Sequence, residues 1–323
     1  MAKRDTVIER TNMRLCYFNE FQIGIIIDDH VVDVTDHLTD LPHRDRQDLM
    51  PALIAQFADY RTRLEAACRS GDGIALSKVT LRPPLTRPAT VDCMAVNYME
   101  DGTRTEPAPI NGFHKASSSI IGEGETMVLD DIPAEVFEGE AELAVIISKR
   151  ADHISKAEAM NYVFGYTCFI DGSARGLPPT GNTFFQVKSR ATFAPLGPWI
   201  VTADEIPDPH NLHIKLTNSG KIMQDFNTND MAHKIPRIIE WLSEIHPLEA
   251  GDIVATGTNH RGLHPFMDGD LIELEIEKVG KLTINVHDDL KRTWNRVTRL
   301  QHAEKGGEGP YTKQVSGKHA DAG

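Results

Sequence analysis

The segment EGEAELAVIIS, residues 138–148, constrains this chain most, because it sets Glu140 and Glu142 two residues apart at the entry to an apolar strand. In a strand, residues i and i+2 face the same side, so both carboxylates point one way. Neighbouring carboxylates repel unless positive charge lies between them. A divalent cation supplies that charge, and a set of oxygen-only ligands favours Mg²⁺, Mn²⁺ or Ca²⁺ over Zn²⁺. Asp171 ends the next apolar run, YTCFID, and offers a third oxygen. The same spacing also fits a solvated strand edge, so the residues by themselves leave both readings open.

The rest of the chain frames that segment. Residues 13–36 read as short strands around turns, with IGIIID rich in β-branched residues. Residues 37–85 carry looser helical periodicity, as in LMPALIAQFADYRTRLEAA. The proline-rich LRPPLTRPAT at 81–90 marks a boundary, which divides the chain into a small α+β domain over 1–85 and a catalytic domain over 86–300. From 91 onward the pattern is strand-rich. Ser155 and Glu158 form a capping-box pattern that predicts a helix through about 163. A second, amphipathic helix is predicted over 232–246, with Ile235, Ile238, Ile239, Leu242 and Ile245 on one face and Pro236 in its first turn. The polar, glycine-rich tail over 301–323 reads as disordered. The expected fold class is α+β and mostly β.

Composition narrows the class of function. The formal net charge of −13 argues against a nucleic-acid partner, which needs clustered Lys and Arg. It leaves room for a small anionic substrate, since a few local cations define a pocket whatever the global charge. Cysteines at 16, 68, 93 and 168 are too scattered for a disulfide frame. No apolar h-region opens the sequence and no apolar run approaches the ~20 residues that span a bilayer. The expected compartment is the cytoplasm, with no membrane partner.

The ordered run EGEAELAVIISKRADHISKAEAMNYVFGYTCFIDGSARG resembles the core of the fumarylacetoacetate hydrolase family. The similarity starts at CMAVNY and continues through KSRATFAPLGPWIVTADEI, LEAGDIVATGT and DGDLIELEIEKVGKL, covering about 93–286. The resemblance implies a mixed β-roll catalytic domain behind a small N-terminal domain, a Mg²⁺ or Mn²⁺ enzyme acting on a small oxo-acid, and a homodimer. It places Glu140, Glu142 and Asp171 as metal carboxylates and Lys188 as the lysine supporting the metal and the substrate's charged oxygens. It places Arg175 and Thr258 at the substrate, and Lys115 near the pocket mouth.

The chain departs from the family where the base is supplied. Many hydrolytic members carry a His, with a Glu three residues on, just after the NY dipeptide. Here NYMEDGTRTE puts Asp101 and Arg104 at those places, and Pro178 replaces a family Gln. His114, Glu106 and His260 are the replacement candidates. Arg261 or Lys115 is the candidate to hold the substrate's far carboxylate. The leading expectation is cleavage of a C–C bond in an acylpyruvate or diketo acid through a metal-stabilised enolate. Hydration, isomerisation or decarboxylation of a 2-oxo acid is the alternative.

Overall fold

The computed structural model describes residues 13–70, 72–178 and 184–320. The reading of the extreme N-terminus as lacking a leader lies outside them. Among the described residues no helix is long and apolar enough to cross a membrane.

The architecture is mostly β, as the strand-rich pattern implies. One large sheet orders its strands Ile74–Ala75, His30–Asp33, Gln22–Ile27, Arg14–Phe18, Ala194–Thr202, Val163–Arg175, Val136–Ile147, Ile253–Ala255, Val91–Met94 and Gly112–His114. A second sheet orders Lys221–Asn227, His213–Asn218, Leu271–Ile276, Gly280–His287 and Thr126–Val128. The central strands Val136–Ile147 and Val163–Arg175 are antiparallel and almost wholly buried. Burial on both faces explains why they read as near-continuous apolar runs rather than as alternation. Their register sets Glu140 opposite Asp171 and Gly139 opposite Gly172. A Cβ at Gly139 would come within 2.5 Å of the Phe266 ring, so the close approach there requires glycine.

The N-terminal segment continues the same sheet. Arg14–Phe18 pairs with Ala194–Thr202, and Leu81–Arg82 pairs back onto Tyr17 and Phe18. One apolar cluster joins Met13, Leu15, Leu53 and Leu64 to Ala144, Phe169 and Leu196. The helical periodicity of 37–85 resolves into α1 (Leu49–Ala55) and α2 (Phe57–Ser70). All four cysteines are buried and free.

Three local expectations change. The helix predicted from Ser155 is only a 3-10 turn over Ala159–Tyr162. Ser155 Oγ donates to the Glu158 side chain at 2.7 Å instead of capping backbone, and Val163 already belongs to the central strand. After α3 (Phe184–Lys188), α4 spans Ile235–Ile245 with Pro236 in its first turn. Ile235, Ile238, Ile239 and Leu242 are buried, but Ile245 is 60% exposed because the backbone turns extended at His246, beyond the core. The tail expected to be disordered is fixed through residue 320. Here α5 (Arg299–Glu304) is closed by a Thr298–Gln301 capping box, and Gln314–Ser316 pairs with Thr293–Trp294. Lys318 and His319 both reach Asp131, at 2.6 and 2.9 Å.

A candidate metal-binding and catalytic site

The two central strands bring the carboxylates together. Glu140, Glu142 and Asp171 are all buried, and one carboxylate oxygen from each lies within 4.8 Å of the others. Lys188, at the end of α3, places Nζ 2.6 Å from Asp171 Oδ2 and 3.0 Å from Glu140 Oε2. Lys115, just past the Gly112–His114 strand, donates to Asp171 Oδ1 at 2.6 Å and to the Gly172 carbonyl at 3.1 Å. It is 3% exposed, a buried partner of the carboxylate rather than a cation at the pocket mouth. Arg175 is held by Glu138 at 3.1 Å and by Glu140. Arg299, from α5, also binds Glu138, so the C-terminal helix buttresses the site.

Charge is divided unevenly among these acids. Burial alone would raise Glu140, but Lys188 and Arg175, with a smaller part from His260, outweigh it and hold the carboxyl well below the usual range. Glu142 goes the other way. Burial, then repulsion from Asp171 and Glu140, pushes its carboxyl well above that range. One oxygen of Glu142 accepts the Gly257 backbone N–H at 2.7 Å, while Oε1 is buried with no hydrogen-bond partner. A buried carboxylate oxygen left unpaired beside two other acids is a place where a hard divalent cation fits. The chemistry of the donor set agrees, since all three groups are oxygens.

The loop after Ile253–Ala255 closes the site. Gly257 has φ +88°, and a Cβ there would meet Asn97 at 2.9 Å. Thr258 is buried and accepts from Gln224 Nε2 at 2.9 Å. Gln224 also donates to the Asn259 carbonyl and accepts the Ala141 N–H, tying this loop to the carboxylate strand. His260 follows. Its Nδ1 lies 2.7 Å from Glu100 Oε1, and its backbone N–H donates to Glu100 Oε2 at 2.9 Å. Its Nε2 faces the cluster, 4.0 Å from Glu140 Oε1.

The other sequence candidates lie elsewhere. His114 does not join the cluster: its side chain is 60% exposed and its Nδ1 lies 3.2 Å from Asp92. Strand alternation explains this, because Asp92 and His114 pair across strands on the face opposite Cys93 and Lys115. Cys93 feels Asp171 and Glu142, and burial together with those charges keeps its thiol well above the usual range. Glu106 and Arg104 are exposed. Arg261 pairs with Asp101 at 3.1 Å on the outer side of the loop. Sequence reasoning missed Glu100, Glu138, Gln224 and Arg299. Glu138 alone carried a signal, being in phase with Glu140 and Glu142.

Comparison with known proteins follows the same lines. Residues 90–287 match the family model described as fumarylacetoacetate (FAA) hydrolase, C-terminal. A maleylpyruvate hydrolase of Aquipseudomonas alcaligenes is 32% identical over 292 residues, 85% of this chain and 99% of the relative. A mitochondrial oxaloacetate tautomerase of Rattus norvegicus is 40% identical over 248 residues, 72% of this chain and 78% of the relative. The crystal structure of maleylpyruvate hydrolase from Sphingobium sp. SYK-6, in complex with manganese(II) and pyruvate, superposes with a TM-score of 0.78 at 34% identity. That match covers 85% of this chain and 99% of the other.

Proposed function

Because this chain belongs to the fumarylacetoacetate hydrolase family, we propose that it is a divalent-metal-dependent enzyme cleaving a C–C bond in a small acylpyruvate or diketo acid. The observation that carries this reading is the Glu100–His260 pair, which restores a positioned base beside the carboxylates although the family's usual His is absent. Glu140, Glu142 and Asp171 would hold one Mg²⁺ or Mn²⁺. Such an ion would supply Lewis-acid stabilisation of the negative charge that develops on a bound 2-oxo acid.

The chain's own groups do the rest. Glu100 accepts the proton on His260 Nδ1, which leaves Nε2 as the free acceptor facing the substrate space. His260 takes a proton there, from water in a hydrolysis or from carbon in a tautomerisation. Lys188 adds fixed positive charge next to the reacting oxygens. Thr258, two residues before His260 and held by Gln224, would fix the course of that loop beside the substrate. Arg261 faces outward on the next turn and is the cation placed to exchange Asp101 for the far carboxylate of a substrate. Lys115 and Arg175 are committed to the site's own acids and support it rather than bind substrate.

A second reading is tautomerisation of a 2-oxo acid, favoured by the similarity to an oxaloacetate tautomerase and by a base that serves without water. Turnover of maleylpyruvate or acetylpyruvate to pyruvate, with Mn²⁺ present, is expected under the first reading. Keto–enol conversion of oxaloacetate with no cleavage of either acylpyruvate would replace it with the second. We further propose a homodimer. Light scattering should give twice 35.9 kDa, and a mass near that single value would refute it.

A further inference from the structure

On the far face of the sheet, Asp92, His114 and His246 form a second cluster that the proposed reaction does not use. Asp92 is 2% exposed and sits at the centre. Its Oδ1 lies 3.2 Å from His114 Nδ1 and 3.1 Å from His246 Nε2. The two imidazoles stand 5.2 Å apart, tilted at 47°. One atom from each of the three residues falls within 4.8 Å of the others.

Two partners orient the cluster. Thr90 Oγ1 donates to Asp92 Oδ2 at 2.8 Å, leaving Oδ1 to face the histidines. His246 Nδ1 lies 3.0 Å from the Pro247 carbonyl and donates its proton there. In a neutral His246 the lone pair of Nε2 therefore faces a carboxylate oxygen at hydrogen-bond distance with no proton between them. That contact between a lone pair and a carboxylate oxygen is unfavourable in this tautomer, and a proton or a bound cation on Nε2 relieves it. Metal-ligating histidines characteristically give their second ring N–H to a carbonyl in this way. Bonds of about 2.0–2.1 Å to a tetrahedral ion put neighbouring ligand atoms about 3.3 Å apart, close to the spacing found here. His114 lies at the surface, so a fourth position opens to water.

We propose that Asp92, His114 and His246 form a second cation site, taking an imidazole-preferring transition ion of the Zn²⁺ class rather than Mg²⁺. Two nitrogens and one oxygen select such an ion, whereas the all-oxygen catalytic cluster suits harder ones. The residue after His114 is Lys115, which binds Asp171, so an ion here pins the strand that delivers that lysine.

The test uses the full chain with Mg²⁺ in large excess, titrated with Co²⁺ as a spectroscopic probe. Wild type should take up one more equivalent of Co²⁺ than His246→Ala or His114→Ala, with visible absorption typical of imidazole-bound Co²⁺. Both variants should keep the wild-type far-UV spectrum and Mg²⁺-supported turnover within about twofold. Equal Co²⁺ uptake by wild type and both variants would overturn the site. So would the absence of imidazole-bound Co²⁺ in wild type, and a His246 titration that vanishes in Asp92→Asn would then assign the contact to a proton.

Discussion

Glu100 and His260 stand 160 positions apart in the chain, yet Glu100 binds the backbone N–H and Nδ1 of His260 with its two carboxylate oxygens, at 2.9 and 2.7 Å. The pair couples the loop after Tyr98 to the loop after Thr258. If His260 is the base, His260→Ala should lower kcat by about 10²–10⁴ on whichever oxo-acid is turned over. Glu100→Ala should cost less, and Glu100→Gln should recover part of that loss, because its side-chain carbonyl still accepts the Nδ1 proton. The drop should fall on kcat, with KM little changed. A His260→Ala enzyme within about threefold of wild type would remove the residue from the mechanism.

Glu142 links metal affinity to pH. Burial and its two acidic neighbours raise its carboxyl well above the usual range, so a cation entering the cluster competes with a proton there. Mn²⁺ affinity, read by calorimetry, should therefore strengthen as pH rises. The sign for the metal-free fold is opposite. Above the unfolded-state pKa the folded chain binds more protons at Glu142 than the unfolded chain does, so this group's contribution to stability falls as pH rises. Glu142→Gln should raise the metal-free Tm at neutral pH, by about 1–2 °C for each kcal/mol relieved in a chain of this length, and abolish tight Mn²⁺ binding. A variant that keeps wild-type affinity would sink the proposed ligand set.

Lys115 offers a different route to the same cluster. Its ammonium and the Asp171 carboxylate have side-chain exposures of 0% and 1%. Lys115→Ala leaves Lys188 as the remaining cation on Asp171, so the loss in metal-free protein should stay below the about 3–5 kcal/mol that follows when a buried charge loses its whole partner. A divalent cation would partly restore the missing charge. Thermal melts should then show a larger Mn²⁺-induced rise in Tm for Lys115→Ala than for wild type. An equal rise would mean that the ion and the lysine do not share Asp171.

His264 should govern acid stability. Burial pushes its pKa down from the ordinary value to about 4. Its Nδ1 lies 3.3 Å from the Gly262 carbonyl and its Nε2 lies 3.1 Å from the Asn218 side-chain amide, which suits a neutral ring. The unfolded chain binds the extra proton first, so stability is fully present above about pH 6.5 and is lost as pH falls towards 4. The loss approaches about 3 kcal/mol. His264→Gln should flatten the denaturant-midpoint profile between those limits, even if the variant is less stable overall. An unchanged profile would refute the assignment.

What could be read from the sequence follows from the physics of each element. The carboxylate pair was legible because strand alternation is local, and the match of Glu140 with Asp171 needed only two consecutive antiparallel strands. The choice among His260, His114 and Glu106 was not, because it depends on two loops meeting and on Glu100 adopting φ +56°, which no periodicity announces. Lys115 was misplaced because a lysine in a polar segment carries no sign of being buried. The tail was misread for a related reason. Its order comes from long-range ion pairs such as Lys318–Asp131, which composition does not encode.

The first described strand, Arg14–Phe18, leaves the ribosome long before the strand that flanks it on one side. It can form a hairpin with Gln22–Ile27 at once, and Leu81–Arg82 soon takes the other edge of Tyr17 and Phe18, but that edge at Arg14 and Leu15 stays unpaired until Ile200 and Val201 have been made. At about 5–20 residues per second, that wait is on the order of ten seconds or more. Through that interval an apolar strand edge is open to neighbouring chains. The vulnerable stage of this protein's life is therefore its synthesis, and yield should respond to translation rate and to chaperone supply more than the stability of the finished fold would suggest.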